Sequence, residues 1–66
     1  MLANKLDMIK VETINIQNEA KLILQDIEDF EGYDKLFMME STLDRIIRHA
    51  ESAKETVMAA YDELEE

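Results

Sequence analysis

Apolar residues recur at alternating intervals of four and three through almost the whole chain, and the pattern is interrupted once. In the first half the positions are Leu2, Leu6, Ile9, Ile16, Ala20, Ile23, Ile27 and Phe30, with Thr13 in the remaining place. In the second half they are Leu36, Met39, Leu43, Ile46, Ala50, Ala53, Val57, Ala60 and Leu64. Such spacing is the a/d seam of a helix packed lengthwise on another helix. The period-two alternation of a half-buried strand appears nowhere over a comparable length. Between the two halves lies FEGYDK, Phe30 to Lys35, with the only glycine in a 66-residue chain that has no proline.

That single break predicts a single turn. Glycine enters the left-handed conformation freely, so Gly32 is expected just past the end of the first helix, at about residues 2–31. Asp34 is expected to cap the second helix, at about 34–64, by accepting a backbone N–H. Helices of this size are roughly 45 Å long, and a connection this short folds them back antiparallel. The fold class is therefore all-α: one domain, 1–66, an antiparallel two-helix hairpin with its turn at Gly32–Tyr33. Folding there sets Ile27 opposite Met39, Ile23 opposite Leu43, Ile9 opposite Val57 and Leu2 opposite Leu64. Thr13 then meets Ala53 in an all-small layer that needs a third body to fill it.

Two helices shelter only one side of each other, and ordering the chain costs on the order of 100 kcal/mol of conformational entropy. Apolar residues also stand outside the seam: Met8, Val11, Ile14, Leu22 and Leu24, then Phe37, Met38, Ile47, Met58 and Tyr61. A wet surface does not normally carry so many. The expected solution is a homodimer in which two hairpins form an antiparallel four-helix bundle, with this off-seam set as the self-association or partner-binding surface.

The layout, with large and small residues paired along two helices, resembles the small plasmid-encoded RNA-binding hairpin proteins of the Rop kind. The likeness is one of pattern over the whole chain; no motif is shared, and no RNA-contacting residue carries over. The piece STLDRII, Ser41 to Ile47, is similar to the Ser-Gln-Glu-Leu-Asp signature of the small sporulation aspartyl-phosphate phosphatases. It is one residue shorter and stands in the heptad pattern that already accounts for its Leu and Ile.

Composition narrows the function classes. A net charge of −9 repels phosphates and anionic headgroups, which disfavours nucleic-acid and membrane binding. No apolar run reaches the roughly 18 residues of a membrane span, and the N-terminus lacks the layout of a secretory signal. The absence of cysteine removes disulfides and thiolate metal sites and fits a cytoplasmic location. One histidine, His49, does not make a catalytic constellation, and a single glycine does not make a phosphate loop. Neither a catalytic residue, nor a cofactor site, nor a metal site is expected, because Glu-x-x-His and calcium-loop spacings are both missing.

Two charged groups remain as candidates. Asp26, Asp29, Glu31 and Asp34 crowd the turn, and acids at a helix C-terminus oppose the macrodipole; they are a candidate surface for a basic partner. Lys21, Arg45 and Arg48, beside His49, form a candidate basic patch for a phosphate backbone or an acidic peptide. The chain thus reads as a small non-enzymatic interaction protein, a regulator or adaptor that self-associates and binds an unidentified protein through helix faces. The alternatives are an acidic nucleic-acid mimic that blocks a basic channel and a Rop-like RNA-binding regulator.

Overall fold

A computed structural model describes residues 1–65, and it is all-helical: α1, Leu2–Glu28, packs against α2, Tyr33–Glu65. The two helices, 27 and 33 residues long, lie side by side in a rod measuring 53 × 14 × 10 Å. The periodicity expected from the sequence is therefore realised as a helical hairpin.

The turn is built differently from the expectation. α1 stops at Glu28 rather than Glu31, and the Asp29 N–H still donates to the Gln25 carbonyl at 2.9 Å. Asp29 closes the helix at φ −102° and ψ 30°, on the ordinary side of backbone space. Gly32 is thus not the terminator of α1. It opens α2 instead: its carbonyl accepts from the N–H groups of Lys35 and Leu36 at 3.1 and 3.2 Å, so Gly32 takes the N-cap place expected of Asp34. The connection runs through 29–32, and Tyr33 is already helical. Asp34 lies in the first turn of α2, where a carboxylate favours the positive end of the helix dipole. With φ at +112°, Gly32 holds a conformation that L side chains rarely adopt.

The larger correction concerns the face on which the helices meet. Numbering the heptads so that the expected seam is a and d, row d contains Leu2, Ile9, Ile16 and Ile23 on α1, and Met39, Ile46, Ala53 and Ala60 on α2. All of these are half-buried or buried. Row a is not. Leu6, Ile27 and Leu43 are 55, 56 and 48% exposed, and Leu64 is 71% exposed. The row that accompanies d into the joint is g: Lys5, Glu12, Glu19 and Asp26 on α1, and Lys35, Thr42, His49, Thr56 and Glu63 on α2, every one half-buried or buried. Each helix is rotated so that d and g, not a and d, face its neighbour.

The physical reason lies in the side chains of row g. They carry opposite charges on the two helices, and in α2 include two short threonines, so the helices approach closely while aliphatic stems lie along the joint. The bulky row a turns to one side. Thr13, expected opposite Ala53, is exposed and returns its hydroxyl to the Ile9 carbonyl at 2.8 Å. As a result no large side chain is fully buried, and Ala60 is the one buried hydrophobic among the described residues.

An added Cβ on Gly32 meets no atom within 4 Å, so a substitution there acts through the backbone alone. Gly32→Ala should lower the unfolding free energy by about 1–2 kcal/mol, read by urea denaturation at fixed protein concentration. An unchanged midpoint would contradict the positive-φ turn.

Candidate functional site

One flank of the joint is a ladder of ion pairs and hydrogen bonds. Lys5, Glu12, Glu19 and Asp26 follow one another at heptad intervals on α1, and each reaches across to α2. Lys5 Nζ donates to Glu63 Oε1 at 2.9 Å. His49 Nδ1 lies 2.7 Å from Glu12 Oε2. Arg45 Nε donates to Glu19 Oε2 at 3.0 Å, and Lys35 Nζ stands 3.5 Å from Asp26 Oδ1. Arg45 also donates through Nη2 to Thr42 Oγ1 at 3.1 Å, and that hydroxyl donates to the Met38 carbonyl at 2.9 Å. Thr42 is 3% exposed, so these bonds satisfy the most buried polar side chain in the joint.

The rung nearest the termini, Lys5–Glu63, has a second donor. Glu63 Oε1 also lies 2.9 Å from the Met1 ammonium. The hydrogen bond from Lys5, then that from the N-terminal ammonium, hold the Glu63 carboxyl below the usual carboxylate range. A carboxyl lowered in the folded state contributes stability above its unfolded pKa and loses it as pH falls through the folded value. This rung is thus complete at neutral pH and lost in acid.

The opposite flank is open and largely apolar. Row a is continued there by row e, which contains Ala3, Lys10, Gln17 and Leu24 on α1, and Glu40, Ile47, Lys54 and Tyr61 on α2, all exposed. Near the termini, rows a, d and e together line a shallow groove formed by Leu6, Ile9, Val57, Tyr61 and Leu64. The hairpin therefore has one flank closed by charge pairs and one on which leucine, isoleucine, valine and tyrosine side chains stand half in solvent.

The ten off-seam apolar residues are spread over these flanks and the outer faces, and each is at least 42% exposed. Leu24, Ile47 and Tyr61 belong to the open face. Leu22, Phe37 and Met38 border a groove beside the ladder near the turn, with Asp26, Lys35 and Arg45. Met8 and Val11 border a second groove with Asp7, Glu12, Ser52 and Thr56. Ile14 and Met58 stand on the outer faces of their helices. Apolar spacing alone does not reveal the open face, because its main row has the same period as the interior row d.

The charged groups are also redistributed. Asp26, expected among the turn acids that offer a surface to a basic partner, is 7% exposed and forms the ladder rung nearest the turn with Lys35. Asp29 closes α1, and Asp29, Glu31 and Asp34 are all exposed. Among the described residues no three His, Cys, Asp or Glu side chains gather as a metal site would require. Arg45 is engaged by Glu19 and Thr42, while Lys21 and Arg48 are exposed on rows b and f, away from the ladder. These three cations do not share a face. His49, beside them in sequence, is a rung of the ladder. No helix among the described residues is long and apolar enough to cross a membrane.

A double-mutant cycle on Glu19→Gln and Arg45→Met should give a coupling of roughly 0.2–1 kcal/mol, because the pair is partly exposed. The coupling should shrink in 1 M salt, where the Debye length falls to about 3 Å. Zero coupling at low salt, measured by denaturant unfolding, would remove the ladder from the account of the joint.

Comparison with known proteins adds no assignment: the chain matches no protein-family model, no curated protein and no solved structure.

Proposed function

We propose that the chain is a small non-enzymatic interaction protein whose hairpins pair through their open faces into an antiparallel four-helix bundle. The outer faces then receive another protein. The observation that carries this reading is the exposure of row a along the whole hairpin, next to a flank already closed by ion pairs.

Helix geometry supports it. In a four-helix bundle each helix touches two neighbours roughly at right angles and points its seam between them. Here the first neighbour lies on the d/g side. At about 100° per residue, the a/e side is turned from it by about 110°, which is where the second neighbour of such a bundle sits.

Surface area supports it as well. The chain exposes 5270 Å², whereas a compact monomer of 7.7 kDa is expected to expose about 4300 Å². The surplus is close to the roughly 800 Å² that each partner buries in a standard protein interface. Covering the open face with a second copy would bring the exposed surface per chain to the compact value.

The acids of the joint are matched with Lys, Arg or His, which favours an interaction module over a continuous carboxylate stripe imitating nucleic acid. Arg45 being held by Glu19 likewise weakens the RNA-binding reading. In a cysteine-free chain the reading implies a cytoplasmic protein. In the bundle, the grooves beside the ladder would remain outside, with Met8, Val11, Phe37 and Met38 available to a partner; methionine-rich surfaces adapt well to varied apolar partners.

Light scattering should return twice the 7.7 kDa chain mass at micromolar concentration. Ile27→Lys with Leu43→Lys, both in row a, should return the single mass, whereas Val11→Lys should leave the double mass unchanged. A wild-type chain that is fully helical at the single mass would refute the proposal.

A further inference from the structure

We infer that the two copies pack end for end, with their turns at opposite ends of the bundle. The inference rests on the self-association just proposed and adds its orientation, which row e of the open face determines through charge.

The ladder supplies a ruler along the rod. Lys10 lies between the first rung, Lys5–Glu63, and the second, Glu12–His49, and Lys54 lies between the same two rungs on the other helix. Gln17 and Ile47 lie between the second rung and the third, Glu19–Arg45. Leu24 and Glu40 lie between the third and fourth, the latter being Asp26–Lys35. From termini to turn, row e thus presents an alanine with a tyrosine, then two lysines, then a glutamine with an isoleucine, then a leucine with a glutamate. All eight are exposed, and they flank the row a side chains that a second copy would cover.

Symmetry converts this order into a choice. If both turns lie at one end, the two-fold axis runs along the bundle and every residue stays at its own height. Each α1 then borders the second copy's α2 at the same level. Lys10 and Lys54 of both copies meet as a ring of four ammonium groups, and Glu40 faces Leu24. Like charges across a helix joint repel, and burying their stems brings them closer.

If the second copy is turned end for end, the axis crosses the bundle near its middle and exchanges the two halves. The lysine level of one copy then faces the Leu24 and Glu40 level of the other. Each lysine pair gains a carboxylate at its height and leucine for its aliphatic stem, while Gln17 and Ile47 return to their own level. The open face is self-complementary in charge only in this orientation. It holds whether α1 lies beside α1 or beside α2 of the second copy, because both end-for-end arrangements exchange the halves.

The chain has no cysteine, and Tyr33, at the turn, is 90% exposed, so Tyr33→Cys offers one attachment point without disturbing the joint. The labelled 66-residue chain would be studied by pulsed dipolar spectroscopy, with its mass checked by light scattering. Turns at opposite ends of a rod 53 Å long should give a label separation of roughly 50 Å. A separation of about 20–25 Å, the width of two helices, would overturn the orientation and leave self-association standing. A single-chain mass without a dipolar signal would overturn both.

Discussion

Everything in this hairpin follows from how far each helix is rolled about its own axis. Rolled one way, with rows a and d between the helices, the charged row g would lie at the margin in water. Rolled as observed, with d and g between them, oppositely charged side chains reach across the joint at heptad intervals, and row a is carried out of it. The ion pairs are partly exposed and individually weak. Their effect is selective: unlike charges meet in this roll, and the short threonines of α2 leave room for the approach.

The same roll explains why the hairpin is unfinished as a folded unit. Row d alone supplies the apolar content of the joint, and two of its α2 members, Ala53 and Ala60, are alanines. Burial of a leucine or isoleucine contributes about 1.5–3 kcal/mol only when the side chain is fully removed from water. Here no large side chain reaches that state. The leucines that would do most, Leu6, Leu36, Leu43 and Leu64, stand in row a on the open flank. In the proposed bundle a second hairpin covering that flank would complete the burial that the first begins, and the sequence of charges along row e would give the covering copy a direction. Polar ladder and apolar face are two results of one rotation.

The architecture was legible in the sequence to a useful depth. Unbroken three-four spacing and a single glycine specify two helices and one turn, because helix periodicity is a property of many residues together. The roll was not legible from apolar spacing, since rows a and d are both apolar and either flank of d can accompany it into a joint. A signal was nonetheless present: Lys5, Glu12, Glu19 and Asp26 alternate in step with Lys35, His49 and Glu63, which identifies the polar flank. The turn failed for a local reason. Gly32 serves a helix start as well as a helix stop, and the Gln25 carbonyl, satisfied by the Asp29 N–H, ends α1 without a left-handed residue. Asp26 looked unpaired because its partner, Lys35, lies on the far side of the turn.

The central claim is that row a is sheltered by association and not by the chain's own fold. Its most direct test is the midpoint of thermal unfolding, followed by far-ultraviolet circular dichroism over a hundredfold range of protein concentration. If burial of row a requires a second copy, unfolding and dissociation are one process, and the midpoint must rise steadily with concentration. A sharp transition at one temperature throughout that range, for chains of single mass, would mean that the isolated hairpin is stable with its leucines in water, and the account would be wrong.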